Sequence, residues 1–82
     1  MKTVTLYTTS QCSFCSQVKE YLKNGQVPFT EFNVIEDPDR LDEMKLLSGG
    51  SLSVPLVVIN KDLPDQKAYI GFQPDVLDRE LF

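Results

Sequence analysis

Two cysteines separated by two residues, in the segment Cys12-Ser13-Phe14-Cys15, are the residues of this chain best suited to chemistry. A sulfur at the start of a helix lies among free backbone N–H groups and the positive end of the helix dipole, which favours thiolate over thiol. Cys12 would attack a disulfide as the thiolate, and Cys15 would resolve the mixed disulfide that forms. The spacing therefore predicts a redox-active dithiol, activated mainly by the helix terminus rather than by a neighbouring cation.

The composition leaves few other groups that could do chemistry. The chain has 82 residues, two cysteines, no histidine and a net charge of −4. Without histidine there can be no Ser-His or Cys-His pair, and the commonest general base and zinc-binding nitrogen are missing. The negative charge argues against a nucleic-acid partner. No apolar run approaches the ~18 residues of a membrane-spanning helix, so we expect no membrane partner either.

The length and the hydrophobic content favour a single domain over residues 1–82. With 41% hydrophobic residues, the chain is too apolar for a disordered tail, and 82 residues hold one core. Its first residues alternate polar and apolar and do not resemble a signal peptide. Two cysteines are too few for the disulfide framework of a small secreted protein. We therefore expect a monomeric, cytoplasmic protein.

Three other interpretations of the two cysteines stay open. A structural disulfide between them would close a very short loop and gain little entropy. A structural zinc ion wants four ligands, so two chains would have to share it, and we expect no metal. Buried cysteines that act as small hydrophobic residues would suit Cys15 better than Cys12, which follows a polar loop. The position of the pair between a strand and a helix favours the redox dithiol.

The hydrophobic pattern predicts an α/β fold with the element order β-α-β-α-β-β-α. The predicted strands cover residues 2–7, 29–35, 56–59 and 67–70. The predicted helices begin at the dithiol, at Asp37-Pro38 and at Pro74-Asp75, and glycines follow the first two. Candidate caps for the first helix are Ser10, Gln11 and Ser13. A right-handed crossover would make the first two strands parallel, and the short last connection would make an antiparallel hairpin.

Two further features could take part in substrate binding. Ser53-Val54-Pro55 precedes a buried strand, and because proline cannot donate to a sheet ladder, a plain strand start explains it best. The functional alternative is a cis peptide bond that turns the backbone of Val54 toward an incoming chain. Tyr7 and Phe14 could line a substrate groove, but a small domain needs its aromatic residues for the core, where we expect both.

Together these segments resemble the thioredoxin fold and, within it, the glutaredoxin-like branch. The resemblance covers nearly all of the chain and rests on Thr5-Leu6-Tyr7-Thr8, Cys12-Ser13-Phe14-Cys15, Ser53-Val54-Pro55 and Gly71-Phe72-Gln73-Pro74-Asp75. It implies a four-stranded mixed sheet in the order 2-1-3-4, with the dithiol beside a cis-proline loop. It also implies that Cys12 is the nucleophile, Cys15 the resolving thiol and Pro55 the cis-proline. The substrate-binding residues that it implies are Ser13, Phe14, Ser53, Val54, Pro55, Gly71, Phe72 and Gln73, with the backbone of Val54 pairing with an extended substrate.

The segment Gly71-Phe72-Gln73-Pro74-Asp75 is similar to the Gly-Phe-Arg-Pro-Asp pattern of NrdH-type redoxins, with Gln73 in place of the arginine. That resemblance implies reduction by thioredoxin reductase and electron transfer to a ribonucleotide reductase. Glutathione-dependent glutaredoxins usually carry Cys-Pro-Tyr-Cys and, later, a glycine pair that leads to an acidic dipeptide. A strand-end glycine followed by a helix-start proline would explain the same segment without any binding role.

The sequence thus predicts a small thiol–disulfide oxidoreductase that reduces protein disulfides. We expect no dissociable cofactor, because the dithiol itself holds the two electrons. A glutaredoxin that takes its electrons from glutathione is the alternative within the same class. A non-catalytic binding module with the thioredoxin fold, such as a zinc-bridged dimer, is the alternative from another class.

Overall fold

The computed structural model describes residues 3–10, 12–51 and 53–82. Their seven elements follow the predicted order, β-α-β-α-β-β-α. The bounds are β1 (Val4–Thr8), α1 (Ser13–Asn24), β2 (Thr30–Asn33), α2 (Pro38–Leu47), β3 (Leu56–Ile59), β4 (Lys67–Ile70) and α3 (Pro74–Leu81). Lys2, which we expected in the first strand, and Gln11, a candidate helix cap, lie outside the described residues.

The four strands form one mixed sheet in the order β2-β1-β3-β4. β1 pairs in parallel with β2 and antiparallel with β3, and β3 pairs antiparallel with β4. β1, β2 and β4 therefore end at the same edge of the sheet, where β3 begins. We call this edge, with the residues that follow β1, β2 and β4 and precede β3, the dithiol end. The topology confirms the predicted thioredoxin fold.

The two central strands are buried on both faces of the sheet. Leu6 of β1 packs with Val18 and Leu22 of α1 and with Leu77 of α3. On the opposite face, Tyr7 packs in a second cluster that includes Met44 of α2. The side chains that alternate along β1 therefore point into two core faces, rather than into the core and into solvent. All four residues of β3 are buried, as predicted.

β1 and β2 differ at their ends from the predicted strands. β1 runs one residue further than expected, because Thr8 still pairs with Asn33. β2 ends early, since the side-chain oxygen of Asn33 accepts the backbone N–H groups of Ile35 and Glu36, at 3.0 and 3.3 Å, and so forms a turn. This turn brings the chain from β2 back to the start of α2.

The predicted starts of α2 and α3 are confirmed, with a proline in the first turn of each helix. The side chain of the N-cap residue Asp37 makes no capping hydrogen bond; its carboxylate instead lies 3.8 Å from Nε of Arg40. Gln73, the N-cap of α3, likewise makes no side-chain capping bond. In the part of the chain that the structure describes, no helix has both the length and the apolar character to cross a bilayer.

Candidate active site

The dithiol end brings together three segments that are distant in sequence. Cys12 follows β1, Pro55 precedes β3, and Gly71 follows β4. The backbone N–H of Gly71 donates to the carbonyl of Pro55 at 2.7 Å, which ties the last two segments to each other. On the other side, Nδ2 of Asn33 donates to the Ser10 hydroxyl at 2.9 Å and ties the loop before Cys12 to the end of β2. The fold therefore fixes the surroundings of the dithiol on both sides.

Cys12 is itself the N-cap of α1. Its Sγ accepts the backbone N–H of Cys15 at 3.1 Å, and its own backbone is extended, with φ −104° and ψ 111°. The first turn of α1 holds no acidic residue, whereas those of α2 and α3 hold Asp39 and Asp75. The Cys12 sulfur therefore lies beside a backbone N–H donor at the positive end of the helix dipole.

The predicted caps of α1 were therefore wrong where the structure tests them. The Ser10 hydroxyl accepts from Asn33, and Ser13 is already the first residue of the helix. A sulfur side chain takes the place that an oxygen side chain usually has, so the residue that caps the helix is also the predicted nucleophile.

Cys15 lies one turn further along α1 and is 1% exposed, on the helix face that also buries Val18 and Leu22. Burial, followed by its hydrogen bond with Cys12, raises the pKa of the Cys15 thiol to about 12, although a backbone contact from Thr9 and the charge of Lys19 act against this. Both cysteines are free thiols. The pair thus consists of a partly exposed sulfur that accepts an N–H and a buried sulfur that holds its proton.

The raised pKa of Cys15 predicts a loss of stability in alkaline solution. The ordinary value is 9.0 and the folded value is about 12, so its burial as a thiol stabilises the reduced protein fully below pH 9. That contribution is lost as the pH rises from 9 towards 12, at up to about 1.4 kcal/mol per pH unit, the limit for one proton. Urea unfolding of the reduced protein across this range should show the free energy of unfolding falling more steeply for wild type than for Cys15→Ala.

The Tyr7 phenol adds a second alkaline loss, shared by wild type and Cys15→Ala. Burial, together with the hydrogen bond that its hydroxyl donates to Glu43, raises the pKa of Tyr7 far above its usual range. The difference between the two proteins therefore isolates Cys15. Equal slopes for both proteins would contradict the role of burial at Cys15.

The two aromatic residues expected in the core differ in their exposure to solvent. Tyr7 is fully buried, as predicted, and its ring lies beside that of Phe32 with centroids 5.7 Å apart. Phe14 is 57% exposed, so the prediction for it was wrong. The reason is geometric, since Cys15 is on the inward face of α1 and its neighbours Ser13 and Phe14 point outward at the helix start.

The loop before β3 contains a cis peptide bond between Val54 and Pro55. The plain strand start that the sequence alone favoured is therefore replaced by the alternative that the resemblance implied. Pro55 is buried, Val54 is half-buried and Ser53 is exposed. Val54 makes no backbone hydrogen bond to any described residue. Its N–H and C=O groups are the ones that the prediction assigned to an extended substrate.

The segment after β4 turns the chain from the sheet into α3. Gly71 has φ +85°, in the left-handed region that glycine adopts without strain. Phe72 is half-buried against the core and meets the Tyr21 ring edge-on, with centroids 5.9 Å apart. The Gln73 side chain is exposed, and its Nε2 donates to the carbonyl of Ile70 at 2.7 Å. All the residues predicted for the site thus lie at the dithiol end; their roles in binding remain predictions.

A polar cluster beside the dithiol was not predicted. The carboxylate Oε2 of Glu31 accepts from the Thr8 hydroxyl at 2.7 Å and from Nζ of Lys19 at 3.2 Å. Partial burial acts to raise the pKa of Glu31, but these two hydrogen bonds hold it below its usual range. The one signal in the sequence was Lys19, four residues after Cys15 and hence on the same side of a helix. Nothing in the sequence indicated that Glu31 would face it from β2.

Metal-binding side chains are not gathered near the cysteines. Within residues 3–10, 12–51 and 53–82, no three cysteine or carboxylate side chains are grouped so that they could hold a metal ion together.

Comparisons with known proteins agree with this geometry. The sequence profile of the glutaredoxin family, described as Glutaredoxin, matches residues 4–63. A glutaredoxin-like 8.6 kDa protein from the rubredoxin operon of Clostridium pasteurianum is 33% identical over 76 residues, which cover 93% of each chain. The glutaredoxin-like protein NrdH of Lactococcus lactis is 30% identical over 74 residues, covering 90% of this chain and 93% of the relative.

Among solved structures, the chain is similar to the NrdH-redoxin of Escherichia coli, a glutaredoxin-like protein with a thioredoxin-like activity profile. The TM-score is 0.74 with 29% identity, and the alignment covers 93% of this chain and 91% of the other. Profile, relatives and structure agree with the resemblance that the sequence showed. The chain belongs to the glutaredoxin family, in its NrdH-like branch.

Proposed function

We propose that this protein reduces disulfide bonds in other proteins through Cys12 and Cys15. One observation carries the proposal: the sulfur of Cys12 is partly exposed at the N-terminus of α1 and accepts the N–H of Cys15, while Cys15 is buried directly behind it. A nucleophile needs access and a stabilised thiolate, whereas a resolving thiol needs to be shielded from external disulfides. The two cysteines meet these opposite requirements within one helical turn.

The proposed reaction has two exchanges. The Cys12 thiolate attacks one sulfur of the substrate disulfide, so that a Cys12–substrate bond forms and the other substrate sulfur leaves and takes a proton from solvent. Cys15 then loses its proton to solvent and attacks the Cys12 sulfur. The Cys12–Cys15 disulfide forms, and the second substrate sulfur leaves as a thiolate and takes a proton from solvent. The substrate gains two electrons and the dithiol loses them, so no dissociable cofactor is needed.

The surface around Cys12 suits a polypeptide substrate. Three exposed apolar side chains lie at the dithiol end: Phe14 beside Cys12, Ile35 just after β2, and Ile70 at the end of β4. The backbone groups of Val54, which make no hydrogen bond to a described residue, lie between Phe14 and Ile70 in the order of the sheet. An extended chain could add hydrogen bonds to Val54 and place apolar side chains on these neighbours, as in β-strand addition. Ser13, Ser53 and Gln73 would contribute polar contacts at the border.

For the electron donor we propose a thioredoxin reductase rather than glutathione. Glutathione carries two carboxylates, which need cationic or N–H partners. The predicted binding residues at the dithiol end are uncharged. Among the described residues, Lys19 on α1 pairs with Glu31, and Arg40 on α2 pairs with Asp37 and Glu43. The relatedness to NrdH proteins supports the same choice and makes a ribonucleotide reductase the acceptor to test first.

The family profile keeps a glutathione-dependent glutaredoxin as the second candidate. A coupled assay separates the two. With NADPH and a thioredoxin reductase, the protein should reduce insulin disulfides catalytically. With glutathione, NADPH and glutathione reductase, the rate should stay close to that without the protein. Activity with glutathione alone would overturn the choice of donor, and Cys12→Ser under both conditions gives the background rate.

The same proposal indicates where the protein would work. Re-reduction after each turnover requires a reducing compartment, so we propose the cytoplasm as its location.

A further inference from the structure

Thr8, Glu31 and Lys19 form a polar cluster from three elements, and its Lys19 lies one helical turn after the buried thiol of Cys15. Thr8 ends β1 and is 1% exposed, Glu31 lies on β2, and Lys19 lies on α1 one turn after Cys15. A single carboxylate oxygen, Oε2 of Glu31, accepts from both Thr8 and Lys19. This contact directs the Lys19 ammonium toward β2, while its backbone lies on α1 one turn from Cys15.

Among the described residues, few other charges face Cys15. On α1 the groups are Cys12 and Lys19, and from the loop after β1 the backbone of Thr9 contacts the Cys15 sulfur. The sheet surface that α1 covers is apolar, formed by Val4, Leu6, Val57 and Ile59. α3 meets this core through Leu77. Of the charged residues on α3, Asp78 accepts from Tyr21, Glu80 accepts from Lys67, and Asp75 and Arg79 are exposed.

We propose that Lys19, held by Glu31 and Thr8, supplies the positive charge that stabilises the Cys15 thiolate during the resolving exchange. This inference rests on the function proposed above. When Cys15 gives its proton to solvent, a negative charge appears in a largely apolar site, where an unpaired charge is costly. Residues four apart on a helix are neighbours, so the Lys19 ammonium is within electrostatic reach of that charge. Lys19 is a positioning residue in this scheme, since it touches neither the substrate nor the reacting sulfur of Cys12.

Glu31 has the opposite effect on the resolving thiol. Its carboxylate orients the Lys19 ammonium, but it also neutralises part of the charge that Cys15 experiences. Removing the carboxylate charge should therefore make the Cys15 thiolate easier to form, whereas removing the Lys19 charge should make it harder to form. A mere loss of packing would not shift the ease of forming the Cys15 thiolate in opposite directions in the Lys19 and Glu31 variants.

A single-turnover reaction measures the resolving step separately. Reduced protein is mixed with dithiobis-nitrobenzoate, an aromatic disulfide that releases a coloured thiolate. The first release reports the attack by Cys12 and depends on reagent concentration. The second release reports the attack by Cys15 on the Cys12 adduct and does not depend on that concentration. Both rates are recorded against pH for wild type, Lys19→Gln, Lys19→Arg, Glu31→Gln and the control Lys45→Gln, which removes an exposed charge on α2.

For Lys19→Gln, we expect the second release to be about threefold slower at neutral pH, with its pH profile shifted to the alkaline side. Lys19→Arg should restore the profile, Glu31→Gln should shift it to the acid side, and Lys45→Gln should leave it unchanged. The first release should keep its pH profile in all variants. A second-release profile of folded Lys19→Gln that matches wild type would overturn the inference.

Two other results are possible, a Lys19→Gln variant that does not fold and a wild type that releases one equivalent of thiolate. If circular dichroism shows that Lys19→Gln does not fold, Glu31→Gln decides: an acid shift supports the inference and an unchanged profile overturns it. If wild type releases only one equivalent of coloured thiolate, the proposed dithiol function itself fails. Two equivalents with no effect of either charge would leave that function standing and reject only the part played by Lys19.

Discussion

A Cys12→Ser variant is expected to reduce insulin disulfides no faster than buffer alone, at least about a hundredfold below wild type. The hydroxyl of serine does not ionise near neutral pH and cannot open a disulfide. Because the sulfur of Cys12 accepts the N–H of Cys15 as the helix cap, and a serine oxygen can accept the same bond, the variant should keep the fold. The loss should therefore be one of chemistry, measured with NADPH and thioredoxin reductase.

A Cys15→Ser variant should fail at the second exchange instead of the first. Cys12 still attacks, but no resolving thiol lies behind it, so the substrate stays attached as a mixed disulfide at Cys12. Intact-mass spectrometry should find one substrate per protein, released by an external thiol reductant. The matched control is Ser16→Ala, an exposed position on the same helix, which should turn over like wild type. An active Cys12→Ser variant, or a Cys15→Ser variant that traps nothing, would contradict the assigned roles.

The second large effect is on stability, because the dithiol depends on how α1 is held against the sheet. Leu22 is fully buried on α1 in the cluster that contains Leu6 and Leu77. A Leu22→Ala variant should lower the free energy of unfolding by about 3 kcal/mol, the sum of lost burial and the cavity left behind. For a domain of 82 residues that is a large part of the total stability. Urea unfolding measures this loss. It is followed by circular dichroism, because the chain has no tryptophan to report by fluorescence.

Leu46 offers the matched control for Leu22. It is the same residue type on a helix of the same protein, but it is 84% exposed. Leu46→Ala should therefore change the free energy of unfolding by no more than about 0.5 kcal/mol. Similar losses for the two variants would contradict the burial of α1 described above. If Leu22→Ala is unfolded without denaturant, Leu22→Val extends the comparison with a smaller cavity.

The main features of the fold could be predicted because each depends on a local pattern. The apolar run Leu56–Ile59 indicated a strand buried on both faces, and Pro38 and Pro74 marked two helix starts that the structure confirms. The position of Cys12 and Cys15 between a strand and a helix indicated the dithiol end from the sequence alone. Strand ends were less predictable: β2 stops at Asn33 because a side chain bonds to the backbone, which no apolar pattern reports.

The details of the candidate site were less predictable because they depend on contacts between distant residues. The bond between Asn33 and Ser10 is one such contact, and the carboxylate of Glu31 facing Lys19 from another element is a second. Phe14 was expected in the core because of its type, but its place on the outward face of α1 depends on which residue of that turn points inward. The residues around Pro55 did not decide whether the bond before it is cis or trans, and only the family resemblance favoured the cis bond that the structure has.

The covalent state of Cys12 and Cys15 after one reaction with a protein disulfide tests the proposed dithiol function. Reduced protein is mixed with oxidised insulin, remaining thiols are alkylated, and the peptides are mapped by mass spectrometry. We expect a disulfide between Cys12 and Cys15, reopened by thioredoxin reductase with NADPH, and a matching number of new thiols on insulin. Two alkylated cysteines with insulin unchanged would contradict it.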